Sequence, residues 1–71
     1  MERVYVDSSM IISVGYESDS AILEIEFKTN NAVWNYYDVP EYVHDEMMNA
    51  DSVGKFFHAQ IKDQYREARV G

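Results

Sequence analysis

The stretch Ala32-Val33-Trp34-Asn35-Tyr36-Tyr37-Asp38-Val39-Pro40 decides the fold of this 71-residue chain. Its first half is an aromatic run in which alternate side chains fall on opposite faces, a pattern typical of a β-strand. Its last residue suits the first turn of a helix, because proline already has a helical φ and its missing N–H is not needed there. The sequence before this stretch indicates sheet, and the sequence after it indicates helix.

Three antiparallel strands are expected before the proline, at residues 10–16, 21–28 and 32–38. In the middle strand Leu23, Ile25 and Phe27 fall on one face and acidic residues on the other, as in a half-buried strand. The pairing that buries most apolar area sets Trp34 and Tyr36 beside these three residues, under the helices. Trp34 is therefore predicted to be a core residue, whose replacement by alanine would cost about 3–5 kcal/mol.

The amino-terminal region is less regular. Residues 1–9 read as a lead-in, and the segment around Val4 and Val6 is compatible with either a short strand or an extended connection. In the next strand Ile12 shares a face with Val14, whereas Ile11 points to the opposite face. A β-bulge near Ser13 is one repair for this imperfect alternation.

Two helices are expected after the proline. The first runs from Pro40 to Asn49, and its buried positions are Val39, Val43 and Met47. The second begins near Asp51 or Ser52, either of which is a good N-cap, and runs to about Ala68. Its expected core face comprises Gly54, Phe57, Ile61, Tyr65 and Ala68. The prediction is a single α+β domain over residues 1–71, with a lead-in (1–9), a three-stranded meander (10–38) and two helices (40–68) packed on one face (β-β-β-α-α).

Composition restricts the class of protein. The chain has no cysteine and a net charge of −7, so neither a disulfide framework nor a thiolate metal site is available, and attraction to anionic membranes or nucleic acid is weak. No signal peptide and no apolar run long enough for a membrane span are visible in the sequence. We expect a soluble, cytoplasmic protein.

The order of features resembles the KTSC domain, a module found at the carboxyl end of some lysyl-tRNA synthetases and as small bacterial and phage proteins. The resemblance spans Val6 to Tyr65 and rests on an ordered set of residues: Ser8-Ser9, Ile11, Gly15-Tyr16, Leu23-x-Ile25-x-Phe27, Trp34-x-Tyr36, Val39-Pro40, Ala50-x-Ser52-x-Gly54, Phe57, Ile61 and Tyr65. The family's central Tyr-x-Tyr appears here with Trp34 in the first position. His58 and Lys62 stand where asparagine and arginine are frequent. The resemblance implies an α+β fold and, at most, a role in RNA binding.

No catalytic, cofactor or metal site is expected. His44 and His58 are too far apart in sequence to converge on one helix face, and no cluster of further ligands accompanies them. The serines lack a nucleophile elbow, and the three glycines are too scattered to form a phosphate loop. The sequence therefore favours a protein that is not an enzyme.

Charge is unevenly distributed along the chain. Residues 1–54 contain eleven acidic and two basic side chains, a balance of −9, whereas residues 55–71 contain two acidic and four basic ones, a balance of +2. On a continuous helix the four basic residues would lie within about 60° of one another. This predicted basic stripe consists of Lys55, Lys62, Arg66 and Arg69, with His58 at its edge. Cations late in a helix also complement its dipole, so a purely structural role competes with a binding role.

The expected function is that of a small binding or interaction module. A protein partner or self-association, including a homodimer through Ile22, Val33 and Tyr37, is favoured over RNA because of the acidic charge. RNA bound weakly through the basic stripe is the alternative. The candidate contact residues for either partner are Lys55, His58, Lys62, Arg66, Arg69 and Tyr37.

Overall fold

The computed structural model describes all 71 residues and shows one antiparallel sheet with two helices. The strands are β1 (Arg3–Tyr5), β2 (Ile11–Glu17), β3 (Ile22–Phe27), β4 (Val33–Tyr36) and β5 (Glu67–Arg69), and they lie in the sheet in the order β1-β2-β3-β4-β5. The helices are α1 (Glu41–Met48) and α2 (Val53–Phe56), and α2 continues as one wider π-helical turn over Phe57–Ile61. No helix has both the length and the apolar content to cross a bilayer.

The three predicted central strands are confirmed, and so is the bulge. In β2 the register shifts between Ile11 and Ser13, which leaves Ile12 as the extra residue. Because of this shift, Ile11 and Val14 are both fully buried although a regular strand would send them to opposite faces. The predicted face shared by Ile12 and Val14 is therefore wrong at Ile12.

The core lies between the sheet and the helices. On β3 and β4, Leu23 pairs with Tyr36 and Ile25 with Trp34, as expected. The residues of this core are Ile11, Val14, Leu23, Ile25, Tyr36, Val39, Val43, Met47, Phe57 and Ile61. Trp34 is only partly buried and lies at the margin of this cluster. Its predicted strand neighbours are confirmed, but its side chain is not fully buried in the core as predicted.

Helix α1 has the predicted buried positions, since Val39, Val43 and Met47 are at most 7% exposed. Pro40 is its N-cap, and no side chain caps this end. At α2 the Ser52 hydroxyl accepts a hydrogen bond from the Lys55 amide at 3.2 Å, which is the expected N-cap interaction.

The second helix ends at Ile61 and does not reach Ala68, which corrects the prediction. Lys62 adopts an extended conformation and Asp63 a left-handed one (φ 64°), and the Gln64 amide donates to the Ile61 carbonyl at 3.0 Å. These are the features of a type II turn. The turn redirects the chain so that Glu67–Arg69 forms β5 against β4.

Pairing with β4 explains why the strand forms in a segment rich in helix formers. Without β5, the outer edge of β4 would leave its backbone groups unpaired. The Tyr37 amide instead donates to the Arg66 carbonyl at 2.9 Å, and the Val70 amide donates to the Val33 carbonyl at 2.8 Å. Satisfying these backbone groups outweighs an intrinsic helix preference of a few tenths of a kcal/mol per residue, about 0.7 at most.

The amino-terminal segment is a strand and not only a lead-in. β1 pairs with β2 through Arg3–Gly15, Val4–Val14 and Tyr5–Ser13. Gly15 is needed in this arrangement, because a Cβ there would lie 2.8 Å from the Glu2 carbonyl oxygen and 2.9 Å from Arg3 Cγ. The sheet therefore has five strands rather than the predicted three.

Candidate functional site

A polar groove of about 360 Å³ lies where the loop before β2 meets the start of α2. It is lined by Asp7, Ser8, Ser9, Met10, Asp51, Ser52, Gly54, Lys55 and His58. The two segments touch closely at Gly54, where a Cβ would lie 3.2 Å from Met10 Cγ and 3.4 Å from Ser8 Oγ. The groove therefore carries carboxylates, a primary amine and an imidazole around a floor that only glycine fits without displacement.

Two of the three serines of this groove, Ser8 and Ser52, bind backbone amides. Ser8 Oγ accepts hydrogen bonds from the amides of Met10 and Ile11, both at 3.2 Å, and Ser52 Oγ caps α2. A hydroxyl activated as a nucleophile needs a base within hydrogen-bond reach, and neither serine has a hydrogen bond to His58.

An aromatic depression of about 300 Å³ adjoins the polar groove. Its lining is Met10, Phe27, Thr29, Asn30, Ala32, Trp34 and Arg69. Phe27 and Trp34 are both partly buried, so each ring is supported by the core and still offers surface to a ligand. Arg69 donates its Nε to the Gly71 carbonyl at 2.9 Å, which holds the guanidinium beside the depression.

Met10 lines both cavities, so they adjoin at this side chain, and we call the two together the Met10 surface. An unbranched methionine adapts its shape to different ligands, and Trp and Arg are enriched at binding interfaces. One half of this surface is aromatic and the other half polar. Such a surface can seat an apolar or aromatic group and hold polar groups next to it.

The predicted contact residues are dispersed, because the basic stripe does not exist as a helix face. Lys55 and His58 lie together in the polar groove, and Arg69 lies in the aromatic depression. Arg66 covers the Tyr37 ring at 5.2 Å on the other end of β4, and Lys62 is the exposed C-cap of the π-helical turn. The structure therefore brings three of the six predicted residues to the Met10 surface.

Sequence reasoning missed Met10, Asp7 and Asp51 as parts of this surface. The sequence places Met10 in a strand, Asp7 in the lead-in and Asp51 at the possible N-cap of the second helix. The only signal was that Ser8-Ser9 and Ser52-x-Gly54 belong to the same ordered resemblance. That observation alone does not reveal that the two segments pack against each other.

The opposite face of the sheet carries a polar network centred on Arg3. Its Nη1 lies 2.7 Å from Glu24 Oε2, and its Nε donates to Ser13 Oγ at 3.0 Å. Ser13 in turn donates to Glu26 Oε1 at 2.9 Å. This network lies on the face that was expected to form a dimer through Ile22, Val33 and Tyr37. The carboxyl-terminal segment also packs near Val33. The expected dimer surface is therefore partly covered by the chain itself. The buried Asn35 Oδ1 has no hydrogen-bond partner.

A further aromatic contact joins β2 to α1. The Tyr16 ring stacks on His44 with 5.0 Å between centroids, and its hydroxyl donates to the Val39 carbonyl. Burial raises the pKa of the Tyr16 phenol, and the nearby carboxylates of Glu41 and Asp45 raise it further. The contact anchors α1 on the sheet, and this location is remote from the Met10 surface.

The comparison with protein families matches the KTSC domain to residues 7–65 of this chain. The chain belongs to the KTSC domain family. An uncharacterized protein of Stutzerimonas stutzeri is 39% identical over 71 residues, covering 99% of both chains. A protein of Tsukamurella paurometabola is 38% identical over 61 residues, covering 86% of this chain and 90% of that protein.

Two further comparisons place this KTSC domain in context. The crystal structure of a KTSC domain protein from Yersinia pestis has a TM-score of 0.95 and 38% identity, and the match covers 99% of this chain and 97% of that one. A lysine–tRNA ligase of Trichormus variabilis is 37% identical over 60 residues, which are 84% of this chain and 10% of the ligase. The KTSC domain thus occurs both as a small protein and as a minor part of a synthetase.

Proposed function

We propose that this KTSC domain is a non-catalytic binding module that recognises a short peptide segment of a protein partner on the Met10 surface. The observation that carries the proposal is the partly exposed floor of Trp34 and Phe27, which adjoins the polar groove at Met10. An aromatic or aliphatic side chain of the peptide would occupy the aromatic depression. Its neighbouring backbone and polar groups would lie along the groove.

Charge favours a peptide over a phosphate backbone. The groove presents the carboxylates of Asp7 and Asp51 together with Lys55 and His58. A peptide offers donors, acceptors and charges of both signs, and it can complement this mixture. Successive phosphates offer only negative charge and would be repelled by the two aspartates.

Peptide display with fluorescence detection tests this function. Random peptides displayed on phage would be selected on the intact protein, and synthetic copies would be titrated while the fluorescence of Trp34, the only tryptophan, is followed. We expect enriched peptides to share an aromatic or large aliphatic anchor and to change the Trp34 emission. A Lys55→Ala, Arg69→Ala double variant should weaken binding by about tenfold or more. A tenfold loss corresponds to about 1.4 kcal/mol of binding free energy.

The matched control is Lys62→Ala combined with Arg66→Ala, which removes the same charge from positions outside the Met10 surface. This control should leave the affinity within about twofold of the wild type, since well-separated exposed sites act independently. Selection without any enriched motif would contradict the proposal. Equal losses in the two double variants would contradict it as well.

RNA is the second candidate, and one observation favours it. Lysine–tRNA ligases contain a segment related to this domain, and Trp34 beside Arg69 could stack a base. If a single-stranded RNA is the ligand, the log–log salt dependence of its affinity should have a slope of about −1.4, from two cations at roughly 0.7 each. Fluorescence anisotropy of a labelled oligonucleotide over a salt series measures this slope.

The same two double variants discriminate between the ligands. RNA binding at the Met10 surface should be weakened and made less salt-dependent by the Lys55, Arg69 pair of substitutions and not by the Lys62, Arg66 pair. The peptide proposal instead expects no saturable binding of RNA, even at low salt. Saturable RNA binding that follows the first pattern would replace the peptide proposal.

A further inference from the structure

The outer edge of β1 is unpaired. β1 contacts only β2 in the sheet, and the Val6 amide donates to the Ile12 carbonyl at 3.0 Å just beyond the strand. Antiparallel ladders alternate, so the Val4 backbone groups point to β2, and those of Arg3 and Tyr5 point away from it. The amides and carbonyls of Arg3 and Tyr5 therefore form a free edge.

Two of the three side chains of β1 are uncharged and largely exposed. Tyr5 is 81% exposed and Val4 is 59% exposed. Edge strands are commonly protected by outward charges, but the Arg3 guanidinium is held over the sheet by Glu24. The other edge strand, β5, is protected, because it carries exposed Glu67 and Arg69. The two edges of the sheet thus differ in their capacity to pair.

We propose that two copies of this chain pair through β1, antiparallel and around a two-fold axis at Val4, to form one continuous sheet. In this register Arg3 lies opposite Tyr5 of the partner subunit, and the two residues exchange backbone hydrogen bonds. The two Val4 side chains pack against each other on the helix side. On the opposite face, each Tyr5 ring lies beside the Arg3 side chain of the other copy.

A second copy suits this edge because the edge is complementary to itself under two-fold rotation. An arginine contacts a tyrosine ring in the same way within the chain, where Arg66 lies over Tyr37 at 5.2 Å. A two-fold pair also closes, since it uses each β1 edge once and leaves only the charged β5 edges free. This dimer does not involve the Met10 surface and does not depend on the function proposed for it.

Charge and size predict a weak dimer. A three-residue edge buries less than the roughly 1,200 Å² typical of stable complexes. Each copy carries a net charge of −7, so the two copies repel each other at low ionic strength. Salt screens this repulsion, and dimerisation should therefore strengthen as salt is added, which is opposite to the behaviour expected for RNA binding.

A single introduced cysteine tests the register. The natural chain has no cysteine, so Val4→Cys creates the only thiol. At a non-hydrogen-bonded antiparallel pair the two Cα atoms are about 4.5 Å apart, within the range of about 4.4–6.8 Å that disulfides span. We expect mild oxidation to give a covalent dimer of Val4→Cys, whereas Tyr42→Cys, at an exposed site on α1, should remain largely monomeric.

Sedimentation equilibrium of cysteine-free proteins supplies the second measurement. Tyr5→Lys should abolish the concentration-dependent dimer of the wild type, and Tyr42→Lys should retain it, although both add one positive charge at an exposed tyrosine. A wild type that stays monomeric at high concentration and high salt would overturn the proposal. Cross-linking of Val4→Cys without any effect of Tyr5→Lys would overturn it too, since random encounters of thiols would then explain the product.

Discussion

Replacing Phe57 by alanine should lower the free energy of unfolding of the domain by about 3–5 kcal/mol. The side chain is 4% exposed, and its ring makes edge contacts with Phe27 at 5.2 Å and with Tyr36 at 5.6 Å. Truncating a buried phenylalanine costs about 3–5 kcal/mol. A domain of this length has a free energy of unfolding of about 4–10 kcal/mol, so one substitution removes much or all of it.

Urea unfolding followed by circular dichroism measures this loss. The adjacent His58→Ala is the matched control, because His58 is exposed and its truncation should change the free energy of unfolding by no more than about 0.5 kcal/mol. Trp34→Ala should fall between the two, since this ring is only partly buried. If Trp34→Ala lowers the free energy of unfolding as much as Phe57→Ala does, Trp34 is a core residue, as the sequence alone predicted.

The central architecture was predictable because each element has a local signal. Alternation of Leu23, Ile25 and Phe27 with acidic residues identified β3, and Pro40 marked the start of the helical half. The buried positions of α1 followed from helical spacing. The KTSC resemblance, confirmed by the family comparison over residues 7–65, supported the same order of elements.

Strand β5 was not predictable from local signals. The segment from Lys62 to Arg69 contains neither glycine nor proline and is rich in helix formers, so its preference is helical. It becomes strand β5 because β4 offers unpaired backbone groups and because Asp63 accepts a left-handed conformation. Both reasons depend on tertiary structure, and no window of sequence contains them.

The sequence correctly predicted neighbouring site residues only where the chain is helical. Lys55 and His58 are three residues apart across the continuous turn from α2 into the π-helical segment, and they do share the polar groove. Lys62 and Arg66 lie beyond the end of this helix, and the inferred stripe fails there. Met10 lines both halves of the surface and lies close to Gly54, and this arrangement requires knowledge of how the loop before β2 packs on α2.

Raising the pH above about 10 should destabilise the domain through Tyr36. Burial raises the pKa of its phenol well above the ordinary value, and the carboxylates of Glu67 and Asp63 add to the shift. The folded chain therefore keeps a proton that the unfolded chain loses. Stability is fully present below the unfolded pKa of about 10 and falls as the pH rises toward the folded value, by about 1.4 kcal/mol per pH unit for this group.

The test is the urea midpoint of the wild type, Tyr36→Phe and Tyr42→Phe between about pH 8 and pH 11, a range that brackets the unfolded tyrosine pKa. Tyr36→Phe keeps the buried ring and removes the titrating hydroxyl, so its stability should fall less steeply at high pH. Tyr42 is 65% exposed, so Tyr42→Phe is the control that removes a phenol from the surface and should follow the wild type. If stability falls equally steeply with pH in all three proteins, the loss of stability at alkaline pH comes from other groups. Tyr16, whose pKa is also raised, is then the first residue to replace.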